Sequence, residues 1–324
     1  MPDRRVIGVD MGGTKLLAGV VDAELSVHHR SQLPVRGLSQ RILLDTVHQA
    51  VRELIESADG EVAAVGFGIP SLIDRRTGTS VVAVNLELTD LPFGEVMSER
   101  LGVPCFVDND ANMAALAEHR AGAARGASEV VLVTLGTGIG GGLILNDRLY
   151  HGALGAGAEL GHMVIQIDGP RCQGNCPNHG CFEAMASGTA LEREARRIGT
   201  ERPQSGLGAA VAAGRAPLGP IVTELAHDGD AAAQAVLDLI GTRLGVACAS
   251  FVNIFNPEVI VVGGGVIAAG ERLLAPARTE MRRRALPPGR DTVAIVAAHH
   301  GIEAGMLGAA VMAWDELAAR EVRA

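Results

Sequence analysis

Residues 6–22 read VIGVDMGGTKLLAGVVD: an apolar run enters a turn of glycine and threonine, and a second apolar run leaves it. Residues 130–147, VVLVTLGTGIGGGLILND, repeat this plan. Glycine lets the main chain approach a ligand closely, and successive backbone N–H groups can cradle phosphate oxygens. The repeat predicts two domains of one design, each with a strand–turn–strand unit. The alternative is that both segments are ordinary hairpin turns.

The rest of the chain alternates between strand and helix patterns. Strands are predicted at 62–69, 103–108 and 258–265, and helices at 40–58, 110–122, about 231–255 and 304–320. Such alternation indicates an α/β protein with mixed sheets. Residues 200–220, which are rich in Gly, Pro and Ala, predict a loop with a short helix.

Composition excludes several classes of protein. Among 324 residues, 48% are hydrophobic and the formal net charge is −9, which argues against a nucleic-acid or membrane-surface partner. The N-terminus lacks the apolar segment of a secretory signal, and we find no apolar run of membrane-spanning length, so a cytoplasmic protein is expected. Five cysteines in such a chain favour a thiolate site over a disulfide framework.

Carboxylates follow two of the predicted strands. Asp10 ends the first strand and could hold a hydrated Mg²⁺ beside substrate phosphates. Asp108, Asn109 and Asp110 lie between a strand and a helix, where open α/β sheets place their ligands. There a carboxylate can accept the proton of an attacking hydroxyl while an amide fixes the substrate. A simple helix cap is the alternative.

GHMVIQIDGPRCQGNCPNHGC at 161–181 concentrates three of the five cysteines near a histidine. The predicted ligands of a structural Cys₃His zinc site are His162, Cys172, Cys176 and Cys181. His179 is a rival ligand, whereas Cys105 and Cys248 are interpreted as core thiols.

Two acidic residues flank this metal loop. Glu159 precedes His162 by three residues and Glu183 follows Cys181 by two. A loop held by zinc would fix both carboxylates rigidly, as binding of a polyol requires.

The third glycine turn, GGGVIA at 263–268, formally matches the dinucleotide fingerprint G-x-G-x-x-G/A. A nicotinamide-cofactor site would need an acidic residue about 20 positions further on, at the end of a second strand. The chain there reads ARTEMRRRALPPG, which is helical and basic. We therefore interpret this turn as one that contacts adenosine.

Taken together, these motifs resemble the ROK family (repressors, open reading frames, sugar kinases), and most closely its bacterial glucokinases. The resemblance spans nearly the whole chain and is carried, in order, by DMGGTK (10–15), GFGIPS (66–71), DNDAN (108–112), TLGTGIGGG (134–142), GAELGHM (157–163), GCFEAMASG (180–188) and VIVVGGG (259–265).

This resemblance implies the two-domain actin-like ATPase (ribonuclease H-like) fold with a cleft between the domains. The expected domains are 1–120, with helix 304–320 packing back onto it, and 121–303, which carries the zinc loop. The implied reaction is ATP-dependent phosphorylation of a hexose at its 6-hydroxyl, glucose first, by a homodimer or homotetramer.

The resemblance also implies roles for single residues. Asp110 would be the catalytic base, and Asn109, Asp110, Glu159, His162 and Glu183 would bind the sugar. Asp10 would lie near magnesium. Residues implied to face ATP are Gly12, Gly13, Thr14, Lys15, Gly136, Thr137, Gly138, Gly263, Gly264 and Gly265.

The chain departs from the family pattern at two places. Its cysteines are spaced C-x₃-C-x₄-C, two residues longer between the first pair than the usual C-x-C-x₄-C. Ser71 stands where many members have Gly, which bears on the wall of the sugar pocket.

Rival functions remain open at this point. Fructose, mannose or an N-acetylhexosamine could replace glucose, and polyphosphate could replace ATP. A sugar-responsive repressor would need about sixty residues of DNA-binding domain before the first glycine turn. Because that turn begins at Gly12, an enzyme is expected.

Overall fold

The computed structural model describes residues 4–83 and 86–323. The strands are β1 (Arg4–Met11), β2 (Lys15–Val21), β3 (Val27–Pro34), β4 (Glu61–Ile69), β5 (Ser71–Asp74), β6 (Thr79–Ala83), β7 (Thr89–Leu91), β8 (Cys105–Asn109), β9 (Val130–Leu135), β10 (Ile139–Leu145), β11 (Arg148–Leu149), β12 (Val259–Gly263) and β13 (Ala294–Ala297).

Helices separate most of these strands. They are α1 (Gln40–Ser57), α2 (Phe93–Leu101), α3 (Asp110–Ala121), α4 (Phe182–Ala186), α5 (Gly188–Glu201), α6 (Gly206–Ala212), α7 (Leu218–His227), α8 (Ala231–Phe255), α9 (Glu271–Arg284), α10 (Gly289–Thr292) and α11 (Ala304–Arg323). Single turns of 3₁₀ helix lie at Leu160–His162, Gly265–Ala269 and Gly301–Glu303.

The chain forms two compact units. The first contains residues 1–126, 142–158 and 299–324, and the second contains 127–141 and 159–298. Residues 142–158 thus belong to the first unit. The division into domains at residues 120 and 121 stays a prediction.

A five-stranded sheet in the order β3-β2-β1-β4-β8 forms the centre of the first unit. β1 runs antiparallel to β2 and parallel to β4, so the prediction of a mixed sheet is confirmed. Its core is built from alternate apolar side chains of these strands and from the buried face of α1. A smaller sheet, β5-β6-β7, belongs to the same unit.

Helix α11 lies against this sheet where three glycines are aligned across neighbouring strands. Gly8 on β1 pairs with Gly19 on β2 and with Gly66 on β4. A Cβ atom at Gly8 or Gly66 would overlap the backbone of α11 at Met306 or Ala309. We name these three residues the glycine row. It lets the helix backbone approach the sheet more closely than any side chain would allow.

The second five-stranded sheet has the order β11-β10-β9-β12-β13, and β12 is parallel to both β9 and β13. Since β9 and β10 are neighbours, the turn between them joins adjacent strands, as the sequence predicted. The helices of the second unit pack around α8, which contacts α5, α7 and α9.

Among the described helices, α8 is long and apolar enough to cross a membrane, although the sequence analysis found no such run. It is buried over 61% of its most apolar stretch. Burial of this kind is that of a core helix.

Element boundaries follow the sequence patterns closely. The strand predicted at 62–69 is β4, and the helices predicted at 40–58 and 231–255 are α1 and α8. The segment 200–220 holds α6 and the beginning of α7, so it is more helical than expected. β12 ends two residues before the predicted 265 because Gly264, with φ 84°, leaves the extended conformation.

Candidate active site and metal centre

The junction between β8 and α3 orders three polar side chains. The Asn109 side-chain oxygen accepts hydrogen bonds from the backbone N–H groups of Ala111 (2.9 Å) and Asn112 (3.2 Å), so Asn109 is the N-cap. Asp110 is the first helical residue, and one of its carboxylate oxygens accepts the Ala111 N–H (2.9 Å). The helix N-terminus stabilises this negative charge. The cap interpretation therefore holds for Asn109 and leaves Asp110 as the candidate base.

Asp108 lies beneath this junction and is only 2% exposed. Its carboxylate accepts hydrogen bonds from the Asn109 backbone (2.7 Å) and the Asn112 amide (3.0 Å), and lies 2.7 Å from His151 Nε2. Arg75, which can only donate, contacts His151 Nδ1 at 3.1 Å, so the ring proton is on Nε2 and points to Asp108. Burial would raise the pKa of Asp108, yet the hydrogen bonds from His151 and Asn112 lower it below its ordinary value.

Asp10, the last residue but one of β1, lies close to Asp110. Burial, and then the negative charge of Asp110, raise the pKa of Asp10 to about 7, while Lys15 acts in the opposite direction. Two carboxylates that oppose each other's ionisation in this way are stabilised by a divalent cation, which removes the repulsion. The charge distribution therefore fits the magnesium that the sequence analysis placed at Asp10.

Ser71, one of the two departures from the family pattern, uses its hydroxyl within the small sheet. The hydroxyl lies 2.7 Å from that of Ser80 and donates to the Val82 carbonyl (2.9 Å). The Ser71 carbonyl accepts a bond from the Asn109 amide (3.4 Å). Consequently the extra hydroxyl is satisfied internally, and Ser71 reaches the candidate sugar site only through its backbone.

The predicted zinc ligands come together in the second unit. The ligand atoms of His162, Cys172, Cys176 and Cys181 all lie within 4.8 Å of one another. Cys172 Sγ is 3.6 Å from His162 Nδ1, and Cys176 Sγ is 3.9 Å from Cys181 Sγ. Tetrahedral zinc with ordinary bond lengths requires S–N and S–S separations of about 3.6 and about 3.8 Å. The cluster therefore fits zinc in both donor type and spacing.

The thiols themselves also favour a cation. Burial, and then the neighbouring thiols, raise the pKa of Cys172, and burial raises that of Cys181. Three thiolates this close need a positive charge among them. His179, the rival ligand, lies with its Nδ1 3.4 Å from the Gly169 carbonyl and is outside the cluster.

The two remaining cysteines are core residues, as predicted. Cys105 and Cys248 are both buried, and burial raises the pKa of each thiol to about 12.

The glycine turn between β9 and β10, residues 136–138, is closed by a hydrogen bond from Gly136 N–H to the Gly138 carbonyl (3.0 Å). The other two carbonyls of the turn accept hydrogen bonds from the first residues of α5. Gly136 O accepts from Gly188 N–H (2.8 Å), and Thr137 O accepts from the Thr189 hydroxyl (2.9 Å). A carbonyl oxygen facing a phosphate would repel it, so this arrangement suits a phosphate-binding turn.

Glu183 lies between this turn and the cysteine cluster. One of its oxygens accepts the Ile139 N–H at 2.8 Å, and the other is 3.8 Å from Cys172 Sγ. Glu159 lies on the other side of the histidine, 3.9 Å from His162 Nε2. His162 therefore presents Nδ1 to the cysteines and Nε2 to a carboxylate.

The third glycine turn follows β12. A Cβ atom at Gly264 would lie 2.5 Å from the Leu135 carbonyl oxygen, so only glycine fits at this contact with β9. The turn leads into a 3₁₀ helix and then α9, which is helical as the sequence predicted.

The candidate site residues fall on both units. Asp10, the turn at 12–15, Asn109 and Asp110 belong to the first, whereas Glu159, His162, Glu183 and the turns at 136–138 and 263–265 belong to the second. The local sequence patterns do not point to His151, and they give Asp108 no role of its own. Their contacts join positions far apart in the chain, which no local pattern reveals.

Two five-stranded sheets, each containing a strand–glycine turn–strand unit, fit the actin-like ATPase class of α/β proteins that the sequence resemblance implies. Comparison with known proteins agrees with this fold class and identifies the family within it. The ROK family model matches residues 6–316. The chain belongs to the ROK family.

Individual relatives include enzymes and regulators. Glucokinase of Thermotoga maritima is 36% identical over 316 residues, covering 96% of this chain and 97% of the enzyme. The crystal structure of a ROK family glucokinase from Streptomyces griseus in complex with glucose and AMPPNP is 34% identical. It has a TM-score of 0.83 and covers 96% of this chain and 99% of that one. The xylose repressor of Bacillus spizizenii is 28% identical and covers 93% of this chain and 75% of the repressor.

Proposed function

We propose that this protein is a glucokinase, which transfers the γ-phosphoryl group of ATP to the 6-hydroxyl of glucose. One observation carries the proposal: the chain matches the Streptomyces griseus enzyme over 96% of its length, and that structure contains both glucose and AMPPNP.

Asp110 is the proposed catalytic base. Its carboxylate lies at the N-terminus of α3, where the helix stabilises the ionised form needed to accept the hydroxyl proton. Asn109, held by its capping bonds and by Ser71, would orient the sugar. On the second unit, Glu159, His162 Nε2 and Glu183 are the proposed partners of the other sugar hydroxyls.

The glycine turns are the proposed nucleotide-binding elements. Residues 12–15, 136–138 and 263–265 would offer backbone N–H groups to ATP. Asp10 would hold Mg²⁺, which neutralises phosphate charge during transfer. The four residues of the cysteine cluster would hold a structural zinc ion that fixes the ring of His162.

We also propose a cytoplasmic location and a homodimer or homotetramer. Glucose is preferred to other hexoses in this proposal, because the relatives at 34–36% identity over nearly the whole chain are glucokinases.

A coupled assay of ADP release tests the proposal. It compares glucose with mannose, fructose, N-acetylglucosamine and N-acetylmannosamine, for the wild type and for Asp110→Asn. We expect glucose to be the best substrate and the substitution to lower kcat by about 10²–10⁴-fold, the usual contribution of a general base. Asp59→Asn, an exposed change in the same unit, is the matched control and should leave the rate unaltered. Folded wild type that turns over none of these sugars would overturn the proposal.

A further inference from the structure

Three residues, Gln173, Gly174 and Asn175, separate Cys172 from Cys176, two more than in the usual C-x-C spacing. Gln173 is half-buried, whereas Asn175 is exposed. The Gln173 side-chain amide donates hydrogen bonds to the Thr137 carbonyl (3.3 Å) and to the Ser187 hydroxyl oxygen (3.1 Å). A residue of the cysteine loop is therefore bonded directly to the 136–138 turn.

Of the two acceptors, Thr137 belongs to the turn itself and Ser187 begins the helix that is bonded to the turn. Ser187 is the N-cap of α5, since its hydroxyl oxygen accepts the Ala190 N–H (3.2 Å). The next residue of the helix, Gly188, holds the Gly136 carbonyl, and Thr189 holds the Thr137 carbonyl. Gln173 thus links three elements: the cysteine loop, the glycine turn and the first turn of α5.

These bonds fix the direction of the Thr137 peptide. With its carbonyl held by Gln173 and Thr189, the turn keeps that oxygen away from a bound anion. Without Gln173, the Thr137 carbonyl keeps the hydrogen bond from Thr189 and loses its second donor, so the peptide rotates more readily to present its oxygen, which would weaken phosphate binding. Loss of the hydrogen bond from Gln173 to the Thr137 carbonyl should lower the affinity for a bound phosphate by a modest factor, as for a typical neutral hydrogen bond.

We propose that Gln173 is a positioning residue for nucleotide binding, through which the inserted segment of the metal loop holds the 136–138 turn in its anion-binding conformation. This inference rests on the proposed function, because it takes that turn as part of the ATP site.

The test measures binding of AMPPNP with Mg²⁺ by calorimetry, together with KM for ATP, KM for glucose and zinc content per chain. Gln173→Leu removes the donors and keeps the size of the side chain. Gln173→Glu places a carboxylate against the Thr137 carbonyl. Thr189→Val removes the second donor to that carbonyl, and Asn175→Ala is the control within the same segment.

We expect Gln173→Leu and Thr189→Val each to raise the AMPPNP dissociation constant and KM for ATP by about 3–10-fold. Gln173→Glu should raise them further because of repulsion. KM for glucose should stay within about twofold of wild type, and zinc content should be unchanged, since hydrogen bonds alone are removed. Asn175→Ala should match the wild type.

Unaltered AMPPNP affinity in Gln173→Leu would overturn the inference. A weaker affinity accompanied by loss of zinc would also overturn it, because the effect would then come from the metal loop as a whole. If the wild type binds AMPPNP but phosphorylates no sugar, the proposed function fails while the role of Gln173 is still measured by binding. A wild type that does not bind AMPPNP contradicts both.

Discussion

Glu118 offers the sharpest test of how the first unit is held together. It lies on α3, two turns beyond the candidate base Asp110, and is 0% exposed. Its carboxylate accepts three backbone N–H bonds, from Ala123 (2.8 Å), His299 (3.0 Å) and His300 (2.8 Å). Residues 118–123 and 299–300 belong to separate segments of the first unit, 1–126 and 299–324, so one side chain joins two segments that are remote in sequence.

The change Glu118→Gln keeps the shape and replaces one acceptor oxygen by a donor. In its better orientation the new amide keeps the oxygen that serves Ala123 and His299, and loses the bond to His300. One lost bond to a charged group costs about 2 kcal/mol, and the loss of charge weakens the other two by about 1 kcal/mol each. A neutral side chain is easier to bury, which offsets part of this cost. We expect the free energy of unfolding to fall by about 2–4 kcal/mol.

Urea unfolding followed by circular dichroism measures the overall effect, and amide hydrogen exchange at His299 and His300 measures it locally. Glu53→Gln is the matched control, because the Glu53 carboxylate accepts a bond from Gln49 on the exposed face of α1. That control should change stability by less than about 0.5 kcal/mol. If Glu118→Gln were as stable as Glu53→Gln, with unaltered exchange at the two histidines, the reasoning would be refuted.

Three further changes test other parts of the molecule. Gly305→Ala would place a Cβ atom 2.5 Å from the Asp10 carboxyl carbon, so we expect turnover and the Mg²⁺ response to be lost, whereas Gly219→Ala, with open space around it, should leave both intact. Cys181→Ser should reduce zinc measured by metal analysis and lower the melting temperature, and equal zinc in both proteins would contradict the cluster. Hydrogen bonds from two arginines lower the pKa of Glu280 from 4.5 to about 2, so its stabilising effect is complete above pH 4.5 and is lost as pH falls towards 2. The stability difference between wild type and Glu280→Gln should therefore shrink over that interval in acid unfolding, and a constant difference would show that ionisation is irrelevant.

Local patterns in the sequence were sufficient for most of the fold. A continuous apolar run located β4, in which every residue after Glu61 is buried, and the helical patterns of 40–58 and 231–255 located α1 and α8. The four metal-loop residues were identified for a similar reason: zinc geometry demands particular donors at short spacing.

Contacts between distant residues were not predictable in this way. His151 reaches Asp108 across 43 positions, and Gln173 reaches Thr137 across 36. Each partner is an ordinary polar residue, and only the packing of the folded chain decides which acceptor it meets. The same holds for Ser71, whose hydroxyl is directed by the pairing of β5 with β6 towards Ser80.

The glycine row has a consequence for the order in which this protein is made. The first unit has all its central strands once β8 has been synthesised, but the helix that covers the row, α11, begins only at Ala304, roughly 200 residues later. At ordinary rates of translation the ribosome needs roughly 10–40 s to add that length. Through this interval the backbone of Gly8, Gly19 and Gly66 lacks the helix that covers it in the complete chain, while the second unit is synthesised. The first unit is thus the first to start folding and the last to finish. A ribosome that stalls before α11 is synthesised leaves the sheet of this unit without the helix that covers it.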